Sequence, residues 1–266
     1  MQFGIRIETL MLQQRATDPE LSVPRILHAL TNQLRLHNCF GHVGVFRVPG
    51  RHNVVAALKE QLNRASVSTD LTQILADNPD TDVNALASLL KMWFRELPTP
   101  IIDPGLYDVA VRGFASEPDT GVGVDDELAR VDRALSVFRE LPAASRSVLQ
   151  YIFRFLDEFG DHAERTKMDQ NNLAMMFVPV LIASPSVDIN EVAVLAQAER
   201  RFVLALMAGL RRIAAEENSE FRAANPPPAA TATLSRTSRS RANAVATSKP
   251  AFSTSLDLGS LSNSTF

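Results

Sequence analysis

Apolar side chains recur at three- and four-residue steps along most of this chain, and no stretch sustains the strict alternation of a half-buried strand. The clearest case follows Asp82, where Val83, Leu86, Leu90, Trp93 and Leu97 fall on one face. Asp82 is itself suited to a helix start, because its carboxylate can accept hydrogen bonds from the free N–H groups there. Ser22 and Pro24 open an earlier helix with Ile26, Leu27, Leu30 and Leu34 on its inner face. Asp103-Pro104 predicts a third, carrying Leu106, Tyr107, Val109 and Ala110. Leu141-Pro142 precedes a fourth, striped by Val148, Ile152, Phe153, Leu156 and Phe159 and closed by Gly160. A long last helix runs from about Ile189 to Ala215 through Val192, Leu195, Phe202, Leu206, Leu210 and Ile213, and further helices are predicted over 52–65, 125–139 and 169–178. The fold class is therefore all-α, an irregular helical bundle of roughly eight or nine helices.

The pattern stops before the chain does. Pro226-Pro227-Pro228 breaks any helix, and Ser and Thr supply 15 of the 36 residues from Thr231 to Phe266. Large apolar residues are too sparse there to offset the entropy of ordering. Residues 1–221 are thus expected to form one folded domain, and 222–266 a disordered Pro/Ser/Thr-rich tail. Charge divides at the same place. The tail holds Arg222, Arg236, Arg239, Arg241 and Lys249 against Asp257, a net +4, which leaves −7 for residues 1–221 within a total of −3. That balance argues against a nucleic-acid partner. Cys39 is the one cysteine, so no intrachain disulfide and no zinc site built on several thiolates can form. Arg6 and Glu8 interrupt the apolar N-terminus, unlike a signal peptide, and the longest apolar run, Leu173 to Ala183, contains Pro179 and is too short to span a bilayer. The expected location is cytoplasmic.

One segment inside the domain cannot be a regular helix. Gly41-His42-Val43-Gly44-Val45-Phe46-Arg47-Val48-Pro49-Gly50 has three glycines and a proline in ten residues, yet it is unusually apolar for a loop. If extended, it would point Phe46 and Val48 one way and Arg47 the other. Two readings of Arg47 follow: a side chain presented to a partner by two apolar anchors, or an internal cap or ion-pair member.

Phe46-Arg47-Val48-Pro49-Gly50, Leu89-Leu90-Lys91-Met92-Trp93-Phe94-Arg95-Glu96-Leu97-Pro98 and Lys167-Met168-Asp169-Gln170-Asn171-Asn172-Leu173-Ala174 resemble, in order and spacing, three blocks of the Rho GTPase-activating (RhoGAP) domain. Phe3-Gly4 and Pro179 followed by Leu181 are similar to its flanking features, so the resemblance covers roughly residues 3–215. It implies an activator that binds the GTP form of a Rho/Rac/Cdc42-like small GTPase and supplies an arginine finger in trans. Such a protein is not itself an enzyme, since the hydrolysis is the GTPase's own. A non-catalytic GTPase-binding or scaffold module of the same fold is the alternative. By this resemblance Arg47 is the finger, Lys91 contacts the GTPase, Arg95 steadies the finger loop and the interface, and Asn172 makes a polar contact near the nucleotide. Read without it, Lys91 and Arg95 are a solvated polar face beside Asn84 and Ser88, and Asn172 is a turn residue bonding its own backbone. The family commonly has an acidic residue where this chain has Val43, and Asn where it has Thr166.

Other constellations carry less. His37, Cys39 and His42 lack a fourth ligand for a structural zinc, so no metal and no cofactor is expected. No phosphate loop of the G-x-x-x-x-G-K-[ST] kind is present. Met175-Met176 reads as core. The tail stretch Leu234-Ser-Arg-Thr-Ser-Arg-Ser-Arg241 interleaves hydroxyls with arginines and predicts weak peripheral contact with an anionic membrane, reversible by phosphorylation.

Overall fold

A computed structural model describes residues 1–115, 124–184 and 189–224. The chain enters through Ile7–Gln14 (α1) and Arg25–Leu36 (α2), then His52–Arg64 (α3), Leu71–Asp77 (α4) and Val83–Arg95 (α5). A short Gly113–Ala115 (α6) follows, then Val124–Glu140 (α7), Ala143–Asp157 (α8), Ala163–Thr166 (α9), Gln170–Leu181 (α10) and Ile189–Ala224 (α11). No strand forms among the described residues; their one extended pairing is a parallel bridge between Ile102 and Ile182. The all-α expectation holds.

Caps and stripes act where the sequence places them. Asp82 accepts the Ala85 N–H at 2.7 Å, and Asp70 does the same for Thr72 at 2.8 Å. Ile26, Leu27, Leu30 and Leu34 of α2 are fully buried, as are Leu86 and Leu90 of α5. α2 packs on α4 and α5, α3 on α5, and α11 on α7, α8 and α10, while α10 also packs on α5 and joins the two groups. α1 escapes the periodicity reading because its last buried position is polar. Gln14 replaces an apolar contact with two hydrogen bonds, donating to the Val23 carbonyl and accepting from the Arg25 N–H, both at 2.8 Å.

Three boundaries differ from expectation. After Asp103 the chain makes a 3-10 turn at Pro104–Leu106 and then a wider π turn at Asp108–Arg112. The change of pitch moves the stripe: Tyr107, Ala110, Val111 and Phe114 are buried, and Val109 is 60% exposed. Gly160 does not end the fourth helix with a left-handed turn but begins a 3-10 turn, Gly160–His162, and the left-handed residue comes later, at Lys167 with φ +57°. α11 continues past Ala215 to Ala224, because no Gly or Pro interrupts residues 210–225 and good helix formers carry it beyond its apolar stripe. Val192, expected on that stripe, is half exposed. The expected tail falls almost wholly on residues 225–266, outside the described residues.

Gly209 lies where α11 crosses α7. A Cβ there would stand 2.8 Å from Leu135 Cγ, and Leu135 is buried. Gly209→Ala would gain up to about 1 kcal/mol of helix propensity but overpack the crossing at about 1–3 kcal/mol. Net destabilisation is expected, read as a lower urea midpoint; a higher midpoint would show that Leu135 yields freely.

Candidate functional site

The 41–50 segment is a coiled turn rather than an extended strand. Gly44 has φ +75° and Phe46 φ +69°, and the Gly44 carbonyl accepts from the N–H groups of Arg47 (2.9 Å) and Val48 (3.0 Å). The expected alternation therefore fails. Val45 and Phe46 point inward together, both fully buried, while Arg47 and Val48 are both exposed. The anchors lie before the arginine, not on either side of it.

A phenylalanine at positive φ carries about 1–3 kcal/mol of backbone strain, so its surroundings must hold it there. The Phe46 ring meets Phe177 of α10 at 5.1 Å, Phe159 at 5.7 Å and Phe155 of α8 at 6.5 Å, edge to face. Arg35 of α2 lies over the Phe155 ring at 4.7 Å and donates from Nε to Glu158 at 3.0 Å, closing the cluster from outside.

Three polar contacts fix the loop's backbone, one from the end of α9 and two from α5. The Gly44 N–H donates to the Thr166 carbonyl at 2.7 Å, the Lys91 ammonium donates to the Phe46 carbonyl, and the Gly50 N–H donates to Ser88 Oγ at 2.8 Å. Gly50 also presses on α5: a Cβ there would stand 2.5 Å from Ala85 Cα, a space only glycine can use. Thr166, one of the two departures from the family pattern, thus contributes through its main chain. Its own hydroxyl is satisfied, donating to the His162 carbonyl at 3.0 Å and accepting from the Met168 N–H at 3.2 Å.

The four residues singled out from the sequence can now be placed. Arg47 is exposed and its side chain forms no hydrogen bond or ion pair among the described residues, so the internal-pair reading fails. Lys91 is half-buried under the loop. Burial, and secondarily the charge of Arg95, push its pKa below the ordinary lysine value. Arg95 is exposed in the last turn of α5 and makes no hydrogen bond or ion pair among the described residues; the bond that steadies the loop comes from Lys91 instead. Asn172 sits in the first turn of α10, where its N–H is capped by Asp169 at 2.8 Å and its amide donates to the Lys167 carbonyl at 3.2 Å. The backbone-bonding reading of Asn172 is therefore correct as far as it goes, and the residue is partly buried. The Phe46 carbonyl joins Arg47 to Lys91, and the Gly44–Thr166 bond joins the loop to the turn before Asn172; Arg95 is not tied in. Reading the sequence misses Ser88, Gly44 and Thr166 as loop holders. Only Ser88 leaves a trace, as a small hydroxyl on the stripe of Lys91. Of Met175 and Met176, both expected in the core, Met176 is partly buried against it, whereas Met175 is 45% exposed.

Residues 24–186 match the RhoGAP domain family. The chain is similar to GTPase activating protein homolog 4 of Dictyostelium discoideum, 31% identical over 191 residues, which is 70% of this chain and 19% of that protein. It is also similar to Rho GTPase-activating protein 23 of Mus musculus, 32% identical over 180 residues, or 68% of this chain and 11% of that one. The chain thus spans a fifth or less of these relatives. Among solved structures, human Rho GTPase activating protein 15 superposes with a TM-score of 0.62 at 17% identity, covering 80% of this chain and 92% of the other. The BH domain of GRAF gives 0.57 at 19% identity, covering 71% and 92%. At these identities the structural likeness concerns the fold.

Lys91→Met keeps the bulk of the side chain but leaves the buried Phe46 carbonyl without its donor. The expected loss is about 1–3 kcal/mol, read as a lower denaturant midpoint with an unchanged slope. Unaltered stability would mean the carbonyl finds water in the variant, and the lysine would lose its assigned part in holding the loop.

Proposed function

On the premise that the chain belongs to the RhoGAP domain family, we propose that it binds a GTP-loaded Rho-family GTPase and inserts Arg47 into that protein's nucleotide site. As the γ-phosphoryl group transfers to water, negative charge develops on its oxygens and on the leaving group, and a guanidinium brought there stabilises it. Such a finger is worth about 10³–10⁵ in rate, or about 4–7 kcal/mol. The planar fork of arginine can meet two oxygens at once, which an ammonium cannot. One observation carries the reading: the Arg47 side chain is exposed and has no hydrogen bond or ion pair among the described residues, while the loop backbone beside it is held at Gly44, at the Phe46 carbonyl and at Gly50. The polar groups of Lys91 on α5 and of Asn172 in the first turn of α10 are assigned to the GTPase interface together with Arg95. Lys91 in this reading acts twice, holding the Phe46 carbonyl and lending its charge to the interface.

The test is GTP hydrolysis by a panel of Rho-family GTPases with and without the full chain. Arg47→Ala is expected to lower stimulated hydrolysis by about 10²–10⁵ with a much smaller change in binding, and Arg47→Lys to recover little of it. Full stimulation by Arg47→Ala at saturating protein would remove the finger assignment. Binding without stimulation by the wild-type chain would favour the non-catalytic module.

The basic stretch within residues 225–266 supports a second, separate role. Each basic residue close to an anionic lipid surface contributes about 1 kcal/mol, and each added phosphate brings about −1.5 to −2 in charge. Removing residues 225–266 is expected to leave stimulated hydrolysis in solution unchanged and to weaken binding to phosphatidylserine-rich vesicles at low salt, where screening is least. Equal vesicle binding by both forms would dismiss the membrane role, and reduced hydrolysis would place part of the activity in the removed segment.

A further inference from the structure

Gly44 is the residue on which the loop turns. Its N–H donates to the Thr166 carbonyl at 2.7 Å, and its carbonyl accepts from Arg47 and Val48 at 2.9 and 3.0 Å. A Cβ built on it would stand 3.3 Å from Arg47 Nη2, 3.5 Å from Arg47 Nε and 3.3 Å from Val48 Cγ2. The guanidinium therefore lies within van der Waals reach of the space that a Gly44 side chain would fill, and Val48 borders the same space. No hydrogen bond or ion pair of the side chain among the described residues holds it there, although an arginine has among the largest rotamer freedoms of any residue.

We propose that Gly44 is a positioning residue for Arg47: the surface left by its missing side chain confines the guanidinium to a narrow set of orientations before any partner arrives. The inference rests on the activator reading for what Arg47 then does, and adds what orients it. Glycine is needed here for two separable reasons. The φ of +75° disfavours most side chains, and the contacted space excludes any Cβ without displacement of Arg47 or Val48. Asparagine tolerates the first condition but violates the second.

Gly44→Asn in the full chain is accordingly the test, with Gly44→Ala as the more strained companion. Two readouts are used. In the free protein, ¹⁵N relaxation at the Arg47 Nε–H is expected to show a restricted side chain in the wild type and a mobile one in Gly44→Asn. With the GTPase that the wild-type chain stimulates most, the maximal stimulated rate is expected to fall about tenfold while affinity for the analogue-loaded GTPase stays within about threefold. In an Arg47→Ala background the same substitution is expected to cost nothing further, because the two residues act as one unit. An unchanged Arg47 Nε–H signal, or a rate loss of equal size without the arginine, would overturn the assignment. If no Rho-family GTPase responds to the wild-type chain, the activator reading falls, and the relaxation measurement decides on Gly44 by itself.

Discussion

The geometry of the site depends on the burial of one ring. Phe46 sits at positive φ, a conformation that a bulky residue adopts at a cost of about 1–3 kcal/mol. Removing a benzyl group of that size from a packed core costs about 3–5 kcal/mol, so the aromatic cluster can hold the strained backbone in place. The cluster draws on several elements: Phe155 from α8, Phe159 just beyond it, Phe177 from α10, and through Phe177 the Phe94 ring of α5 at 6.4 Å. These are the helices that join the two halves of the fold, since α10 packs on both α5 and α11. The turn that exposes Arg47 is in this sense a product of the core.

Turning the backbone through Phe46 leaves its carbonyl inside the protein, where an unpaired acceptor would be costly. Lys91 answers that need from α5, and it is displaced from its ordinary pKa by the same burial. A lysine placed under a loop has a shorter reach outward than one on an open face, so in the proposed complex its contribution would depend on the loop it supports. Gly50 closes the other end. It lies against the α5 backbone and donates to Ser88, one turn before Lys91 on the same helix. A single stripe of α5, with Ser88 and Lys91 in succession, therefore underlies the 41–50 loop along much of its length.

How much of this could be read from the residues depended on the range of the interactions. α5 was legible almost entirely, because a cap at Asp82 and a stripe from Val83 to Trp93 are local signals that agree with each other. The 41–50 segment was legible as non-helical from its glycines and proline, but alternation misassigned Val48, because nothing in the sequence marks a phenylalanine as left-handed. The polar face of α5 was also identified correctly, yet its covering by a loop some forty residues earlier was not visible to helical periodicity. Between Tyr107 and Phe114 the stripe was only partly legible: Tyr107 and Ala110 are buried as expected, but a change of pitch within the element turns Val109 outward and brings Val111 and Phe114 in. Met175 was misread because an apolar run through Pro179 suggests burial on all sides, whereas one side of α10 faces outward; Met176 packs against the core as expected.

A residue that acts in another protein's active site faces opposing demands. An arginine paired at home is ordered, but the pairing must be broken before it can serve elsewhere, and that loss is subtracted from the energy of association. An unpaired one loses nothing on leaving, but it carries rotamer entropy that must be given up on binding. The loop resolves the conflict by placing all its hydrogen bonds on backbone groups and none on the guanidinium. In the proposal made above, what restrains Arg47 is packing over the bare Gly44 backbone, which is short-ranged and weak per atom. Contacts of that kind can bias an orientation and still be surrendered at little expense. In the activator proposed here, most of the energy of a new charge interaction would then remain for the transition state, where it raises the rate rather than merely tightening the complex.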